Sequence, residues 1–296
     1  MNSVAAITQN DDISRAIQEC LDLLPLEDLF NGKLVAIKPN DTYASKEDTT
    51  AVTQADSLRA VVQYVKRHNP RRLVVTGGAG ASQTDEVFRV TGMMDVIEEE
   101  RVEFFDHNRK PFIEVDLEHG PQRKVVVNPF VTEIETLVSL AQLKLHETAT
   151  VTLSMKNIAM SFPAADYYGH PRSREWHRNE FFDDMHGLIV GMVKRFPIQL
   201  AIIVGHPAMI VTGPLGGKPV ETGLVIASRD FVAADSVGAR LLGFHAQAVR
   251  HIFDAGRVGL GQPDLEQVEI KGLSIDDAVR IFTEKAYGSP MDFEHP

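Results

Sequence analysis

The chain has 296 residues, of which 44% are hydrophobic and 24% are charged, as in globular proteins and unlike disordered ones. A formal net charge of -11 argues against the broad positive surface that nucleic acid or an anionic membrane would require. One cysteine, Cys20, excludes disulfides and cysteine-ligated iron–sulfur clusters within this chain, and its helical, apolar surroundings predict a small buried residue.

No stretch of the sequence predicts a leader or a membrane segment. The first ten residues lack a basic region followed by an apolar one. No apolar run approaches the roughly 20 residues that cross a bilayer. We therefore expect a cytoplasmic protein that binds neither nucleic acid nor membrane, and we leave self-association into a homo-oligomer open.

Short β-branched runs alternate with amphipathic helical stretches through the first hundred residues. Strands are predicted at 4–8, 34–38, 72–76 and 103–106. One helix is expected to begin at Thr53, and another to run from about 82 to 92. Strands that alternate with helices of this length predict crossover connections, and so a doubly wound α/β fold with a largely parallel sheet flanked by helices.

The remaining chain continues this pattern less regularly. Strands are predicted at 124–127, 136–140, 198–204, 224–227 and 268–270. Helices are predicted at about 174–195, 230–243 with Asp230 as its cap, 247–255 and after Ser274. A single domain over 1–296 is expected, with the stretch at 161–173, rich in Pro, Gly and Tyr, as the place where a smaller inserted lobe can begin.

The first motif that can carry chemistry follows the strand at 34–38. Lys38 and Asn40 place a cation and an amide at the carboxyl end of that strand, where doubly wound sheets bind their ligands. Pro39 between them restrains the turn. We predict that both residues contact a ligand, with a surface lysine as the alternative.

The second motif is a glycine segment between a strand and a helix. Gly77, Gly78 and Gly80, followed by Ser82, can bring backbone N–H groups close to an anion. The spacing matches neither a phosphate-binding loop nor a dinucleotide fingerprint. A tight turn with no ligand is the alternative.

The third motif is a dense polar cluster after the strand at 136–140. Lys144, His146, Lys156 and Asn157 fall close together in the sequence. With Lys38 they can hold a carboxylate or phosphate by charge-assisted hydrogen bonds. A buried lysine among other cations would also have a lowered pKa and can act as base or nucleophile, so Lys144, His146 and Lys156 are catalytic candidates. An exposed polar loop is the alternative.

The eleven histidines include further candidates. His206 follows a predicted strand and can be a base, a ligand or a loop residue. His177, Glu180 and Asp184 share one helix face at spacings of three and four, which allows a metal site but also fits a solvated acidic surface.

A second glycine segment and a buried acid complete the set. Gly213 and Gly216 can supply backbone donors to a ligand. Asp235 lies inside an apolar helical pattern, so we expect it to be paired, with a lysine as one candidate partner, and we count it among the ligand-site residues.

Five segments occur in a fixed order: VAIKPN (35–40), LKLH (143–146), MKN (155–157), TGPLGG (212–217) and ASRDFVAAD (227–235). Taken together, they resemble the bacterial and archaeal family called domain of unknown function 362, over positions 35 to about 272. Members often carry a ferredoxin-like module or its cysteines, but this chain has one cysteine and departs from that pattern. It also has Gly205-His206 where the resemblance leads us to expect Asp-Gly. The resemblance implies the fold more than any chemistry.

The leading hypothesis is therefore a small-molecule enzyme, or a relic of one, that binds an anion between its lysines. Asn40 and Asn157 would orient that anion, while His146 or His206 would move protons. The second hypothesis is a metal-binding protein that uses His146, His170, His177 or His206 with carboxylates. The third is a non-catalytic module that binds a ligand or passes electrons through a partner. No cofactor is identified by the sequence.

Overall fold

The computed structural model describes residues 3–170 and 183–291. Numbered in chain order, the strands are β1 (Ser3–Gln9), β2 (Leu34–Pro39), β3 (Arg72–Gly77), β4 (Glu103–Asp106), β5 (Ile113–Asp116), β6 (Lys124–Val127), β7 (Thr136–His146), β8 (Thr150–Thr152), β9 (Leu200–Ile210), β10 (Lys218–Val220), β11 (Leu224–Ser228) and β12 (Val268–Gly272).

The described α-helices are α1 (Ile13–Asp22), α2 (Glu27–Phe30), α3 (Ala55–Lys66), α4 (Thr84–Val90), α5 (Met93–Glu99), α6 (Ser154–Ala159), α7 (Ala165–Tyr168), α8 (Met185–Arg195), α9 (Phe231–Leu241), α10 (Arg250–Arg257) and α11 (Ile275–Tyr287). Short 3-10 helices lie at Pro129–Thr132, Ala246–Ala248 and Leu265–Gln267.

A mixed, largely parallel sheet of ten strands forms the centre of the fold, in the order β12-β1-β11-β9-β7-β2-β3-β4, with β8 on β7 and β10 on β9. The strands from β9 to β4 in that order all run parallel, while β11 is antiparallel to both its neighbours. This confirms the predicted α/β class. A separate antiparallel pair, β5 and β6, forms a small second sheet.

Helices cover the large sheet on both faces, because alternate side chains of each strand point to opposite sides. On β7, Leu137 and Leu143 belong to one buried cluster, whereas Val138 and Leu140 belong to the other. The first cluster packs under α6, α8, α9, α10 and α11, and the second under α1, α3, α4 and α5. Two cores on one sheet are what double winding produces.

Several predicted element ends need correction. β7 continues to His146 and β9 to Ile210, beyond the predicted ends at 140 and 204, because tertiary pairing extends both strands past their apolar runs. The predicted helix at Thr53 begins at Ala55, while the Thr53 hydroxyl binds backbone groups of Asn40 and Leu140. The helix predicted to end at Gly92 does end there, as α4, whereas α5, which follows Gly92 directly, was not predicted.

Other elements escaped prediction because they are short: β5, β8, β10, α2, α6 and α7. A helix was predicted at 174–195, and within this stretch the structure describes α8, which begins at Met185 and is capped by Asp184. His177 and Glu180 lie outside the described residues. Among residues 3–170 and 183–291, no helix combines the length and the apolar character that a bilayer crossing requires. The start of an inserted lobe at 161–173 stays a prediction.

Candidate functional site

The candidate site lies where the sheet changes its direction of winding. After β2 the chain builds β3 and β4 on one side of it, then returns to build β7 and β9 on the other. The crossovers therefore leave a crevice beyond the carboxyl ends of β2 and β7, the usual ligand position in such sheets. Lys38 lies at the end of β2, and a register shift in β7 between Gln142 and Lys144 marks the neighbouring strand at the same edge.

A cavity of about 310 Å³ occupies this edge. Of the candidate residues, it brings together the side chains of Lys38, Asn40, His146, Lys156 and Asn157 and the backbone at Gly78 and Gly80. Further described residues line it: Asp41, Thr42, Ala81, Glu147, Thr148, Thr152, Met160, Ser161, Met185, Pro214 and Leu215.

Lys38 is buried at the cavity wall, and its ammonium is engaged within the protein. Its Nζ donates to the Pro39 carbonyl at 2.8 Å, to Oδ1 of Asp41 at 2.5 Å and to Oδ1 of Asn157 at 3.2 Å. The second carboxylate oxygen of Asp41 accepts from the Gly78 N–H at 2.7 Å. An ammonium has three donors, so Lys38 chiefly organises the wall around it and adds its charge to the field.

Lys144 lies beneath this wall and does not line the cavity. Its fully buried Nζ donates to Oδ1 of Asn40 at 3.0 Å and to the Ala51 carbonyl at 2.6 Å. Burial, followed by the charges of Lys156 and Lys38, holds the pKa of Lys144 well below its ordinary value. The burial and the lowered pKa agree with the prediction for a lysine among other cations, whereas a catalytic role of Lys144 stays a prediction.

Two asparagines connect the strands to α6. Asn40 donates to Oδ1 of Asn157 at 3.3 Å, and Asn157 in turn donates to the Lys38 carbonyl at 3.1 Å and to Oγ of Ser139 at 3.0 Å. Residues from β2, β7 and α6 therefore form one buried polar network, which fixes the amides in place.

His146 ends β7 with its ring at the cavity. Its Nδ1 accepts hydrogen bonds from the backbone N–H groups of Thr148 and Ala149, both at 3.1 Å, so the neutral ring carries its proton on Nε2. Burial, then the charges of Lys156 and Lys144, lowers the pKa of His146 to about 2. The neutral ring therefore presents its Nε2–H as a hydrogen-bond donor, and a role of His146 in proton transfer stays a prediction.

Lys156 is the cation of α6, with only 8% of its surface exposed. Its charge lowers the pKa of both Lys144 and His146, which places the three groups in one electrostatic cluster. The start of α6 is held by Asp235, whose carboxylate accepts from Oγ of Ser154 at 2.5 Å and from the N–H groups of Ser154 and Met155. Asp235 is thus paired, as expected, but with the start of the helix that carries Lys156 and not with a lysine, the candidate partner named from the sequence. Burial raises its pKa to about 7.

Thr152 lines the cavity, and its hydroxyl is buried. Its Oγ1 has no hydrogen-bond partner among the described residues, although the side chain is 2% exposed. Thr152 lies opposite Lys144 in the β7–β8 pair. A buried hydroxyl without a partner costs free energy unless water or a ligand satisfies it.

The first glycine segment serves packing more than anion binding. A Cβ at Gly77 would lie 2.5 Å from Thr84, and one at Gly78 would lie 2.0 Å from Nε2 of His107. The N–H of Gly78 is already bound to Asp41, and the next amide, at position 79, donates to Oγ1 of Thr84 at 3.2 Å. Ser82 does not line the cavity, and its buried Oγ has no partner among the described residues.

The two glycines of the second segment, Gly213 and Gly216, frame the cavity without lining it. A Cβ at Gly213 would lie 2.0 Å from the Leu145 carbonyl, so glycine permits the loop to touch β7. Gly216 has φ of 71°, a conformation suited to glycine. Between them, Pro214 and Leu215 reach the cavity.

His206 lies apart from the lysine cluster, within β9 and not after it. Its Nδ1 is 2.7 Å from Oε2 of Glu221 and its Nε2 is 2.9 Å from Oδ2 of Asp56. The hydrogen bond with Asp56 is the main cause that raises the pKa of His206 to about 9. This histidine bridges two surface acids.

The other histidines do not assemble a metal site in the part of the chain that the structure describes. No group of three or more His, Cys, Asp or Glu side chains suited to a metal ion occurs there. His170 is 3.2 Å from Oδ1 of Asp166, and Asp184 pairs with Arg250. His177 and Glu180 lie outside the described residues.

Some residues of the site were missed by sequence reasoning. Asp41 follows the first motif directly, so its position was a signal. Thr152 gave none, because only the β7–β8 pairing buries it. His107 and Ser161 form a further buried contact, with Nε2 of His107 3.0 Å from the Ser161 hydroxyl, and only Ser161 lines the cavity.

Comparisons with known proteins give one family and distant relatives. The model of the family described as Domain of unknown function (DUF362) matches residues 35–240. A thylakoid-associated protein of Synechocystis sp. is 22% identical over 237 residues, 77% of this chain and 69% of that protein.

Two solved structures are similar at a lower level. The lactate racemase apoprotein of Thermoanaerobacterium thermosaccharolyticum is 14% identical over 68% of this chain, with a TM-score of 0.46. A Thermotoga maritima protein is 12% identical over 90% of this chain, with a TM-score of 0.42. This chain spans 50% and 62% of those two chains, respectively. Likenesses this distant do not bear on its activity.

Proposed function

Because the chain belongs to the domain of unknown function 362 family, whose name assigns no activity, we propose its function from the cavity: it binds a small anionic molecule at the carboxyl ends of β2 and β7. The observation that carries the proposal is the convergence of donors on one cavity. Lys156, His146 and Thr152, which carry an ammonium, an Nε2–H and a hydroxyl, all line it.

These donors suit an anion for two physical reasons. Lys156 is almost fully buried, and a charge in such a place interacts more strongly than one in water. An ammonium has three donors, so it can bind a ligand oxygen beside another partner. His146 and Thr152 add neutral donors, and neither has a partner for Nε2 or Oγ1 among the described residues.

The other residues of the site have supporting roles in this proposal. Lys38 and Asp41 neutralise each other at 2.5 Å, and Lys144 holds Asn40. These side chains are therefore already ordered before a ligand binds, so binding costs less conformational entropy. We assign charge to Lys156, hydrogen bonding to His146 and Thr152, and positioning to Lys144.

Calorimetric titration with sodium hexanoate and with uncharged hexanamide tests the proposal. We expect hexanoate to bind at least tenfold more tightly, because hydrogen bonds to charged groups contribute about 1.5–3 kcal/mol. Lys156→Gln should weaken hexanoate about 10- to 100-fold. The matched control Lys66→Gln removes an exposed lysine that pairs with Glu100 and should leave binding within twofold. Equal binding of acid and amide would refute the proposal.

We also propose that the protein is cytoplasmic and binds neither nucleic acid nor membrane, in line with its net charge of -11. Co-sedimentation with anionic lipid vesicles is expected to leave the protein in the supernatant. Multi-angle light scattering decides whether it forms the homo-oligomer that the sequence left open.

A further inference from the structure

The cavity has an apolar part that the anion-binding groups do not use. Met160 follows α6, Met185 begins α8, and Pro214 and Leu215 come from the loop after β9. Met185 is 6% exposed, whereas Leu215 is 40% exposed and reaches solvent. Three separate elements thus supply apolar side chains to the same cavity as Lys156.

This composition limits where charge can lie on a ligand. One charged group can meet the ammonium of Lys156 and the neutral donors of His146 and Thr152. A second charged group placed in this apolar part would have to lose its hydration among methionine and leucine side chains, which is costly without a partner. An apolar body placed there gains free energy from burial.

We propose that the ligand is an amphiphilic monocarboxylate: its carboxylate binds beside Lys156, and its apolar body packs among Met160, Met185 and Leu215. This inference rests on the proposed anion-binding function and adds the chemical class of the ligand. Methionine suits such a role, because its flexible, polarizable side chain adapts to apolar groups of different shape.

The size of the cavity sets the length of the apolar body. About 310 Å³ is close to the lower limit of ligand pockets, which range over roughly 300–1,000 Å³. The body therefore has a few carbons and not the length of a long acyl chain. Affinity should rise with chain length and then stop rising when the cavity is full.

Calorimetric titration with acetate, butanoate, hexanoate and decanoate measures this length dependence. We expect about a fourfold gain in affinity per methylene while the cavity fills, the factor to which ~0.8 kcal/mol per buried CH₂ converts. Hexanedioate has the chain length of hexanoate and a second charge, so it should bind at least tenfold more weakly than hexanoate. Inorganic phosphate should likewise bind more weakly than hexanoate.

Leu215 and Val211 lie in the loop after β9, and substitutions at these two positions test the apolar contact. Leu215→Ala should weaken hexanoate about fivefold and leave acetate within twofold, since only the longer chain reaches that side chain. Val211 is 75% exposed in the same region and does not line the cavity, so Val211→Ala is expected to leave both affinities unchanged. Both side chains are exposed enough that folding should survive.

The outcomes separate the two proposals. If none of the monoanions binds better than the uncharged amide, the anion-binding function fails, and the ligand class fails with it. If carboxylates bind but acetate, hexanoate and hexanedioate bind equally, the function stands and the amphiphilic class is overturned. A Leu215→Ala variant that weakens acetate and hexanoate alike also overturns the class.

Discussion

Lys144 donates a hydrogen bond of 3.0 Å to Oδ1 of Asn40, so a fully buried lysine holds the amide that lines the cavity. Both residues belong to the predicted site, but only Asn40 lines the cavity, so Lys144 can affect a ligand only by positioning Asn40. The amide orientation of Asn40 follows from this contact, since the acceptor oxygen must face the amine and the Nδ2 group faces Asn157.

Replacement of Lys144 by methionine should therefore affect stability and binding together. Lys144→Met leaves Oδ1 of Asn40 and the Ala51 carbonyl without their donor, which we expect to lower the free energy of unfolding by about 2 kcal/mol or more. Urea unfolding measures this, with the exposed Lys66→Met as a control that should change it by less than about 0.5 kcal/mol. A variant as stable as the parent would contradict the supporting role.

His146 should make the protein less stable in acid. Its folded pKa of about 2 lies below the ordinary value of about 6.5, so its contribution is complete above pH 6.5 and is lost as the pH falls. The expected loss is about 1.4 kcal/mol per pH unit, or ~2 kcal/mol between pH 6.5 and 5.0. In His146→Asn, whose side-chain oxygen can replace Nδ1 as acceptor, this part of the decline should disappear in urea unfolding at both pH values.

Two substitutions of His146 distinguish the role of its Nδ1 from the role of its Nε2. His146→Asn keeps an acceptor for Thr148 and Ala149 and removes the Nε2–H, so it should weaken hexanoate several-fold at near-normal stability. His146→Gln moves the amide outward and is expected to destabilise the turn instead. If both variants bind hexanoate as the parent does, His146 is not a ligand donor.

The Thr152 hydroxyl should lower the stability of the ligand-free protein and strengthen ligand binding. Thr152→Val removes a hydroxyl that has no partner among the described residues, so we expect the free energy of unfolding to stay the same or rise by ~1 kcal/mol, while hexanoate binds more weakly. Thr136→Val is the matched control, since that buried hydroxyl donates to the Leu29 carbonyl at 2.7 Å, and its loss should cost about 1 kcal/mol. The opposite order of stabilities in thermal unfolding would show that Thr152 already has a partner.

Substitutions of Gly78 and His107 should have strongly non-additive effects on the free energy of unfolding. A Cβ at position 78 would lie 2.0 Å from Nε2 of His107, so Gly78→Ala is expected to cost about 2–3 kcal/mol as an overpacked core does. Adding His107→Ala should remove most of that extra cost, which a double-mutant cycle measures. Additive effects of the two substitutions would indicate that the ring does not set the requirement for glycine.

His206 should stabilise the protein below its folded pKa and not above it. That pKa, about 9, lies above the ordinary value of about 6.5, so the contribution is complete below pH 6.5 and is lost as the pH rises through 9. Asp56 and Glu221 are at least half exposed, so solvent screening limits the effect to about 1 kcal/mol. His206→Gln should therefore destabilise at pH 6 and hardly at pH 9.5, with hexanoate affinity unchanged at pH 7.

The sequence by itself determined the fold class and one end of the site. The spacing of hydrophobic residues along a strand or helix is a local property of the sequence, so it can be recognised without knowing the tertiary contacts. This spacing predicted alternating strands and helices, and so a largely parallel α/β sheet. The position of Lys38 and Asn40 after a strand was equally local, and both line the cavity. Cys20 was expected to be buried, and burial raises its thiol pKa to about 12.

Only the tertiary structure decided what each polar side chain does. Lys144 and His146 follow an apolar run that looks finished at residue 140, and it is pairing with β8 and β9 that extends the strand and buries them. His206 is removed from the cluster by its place in β9. Hydrogen-bond partners far apart in the chain, such as Asn40 with Asn157, are set by sheet order and helix packing, which no local pattern encodes.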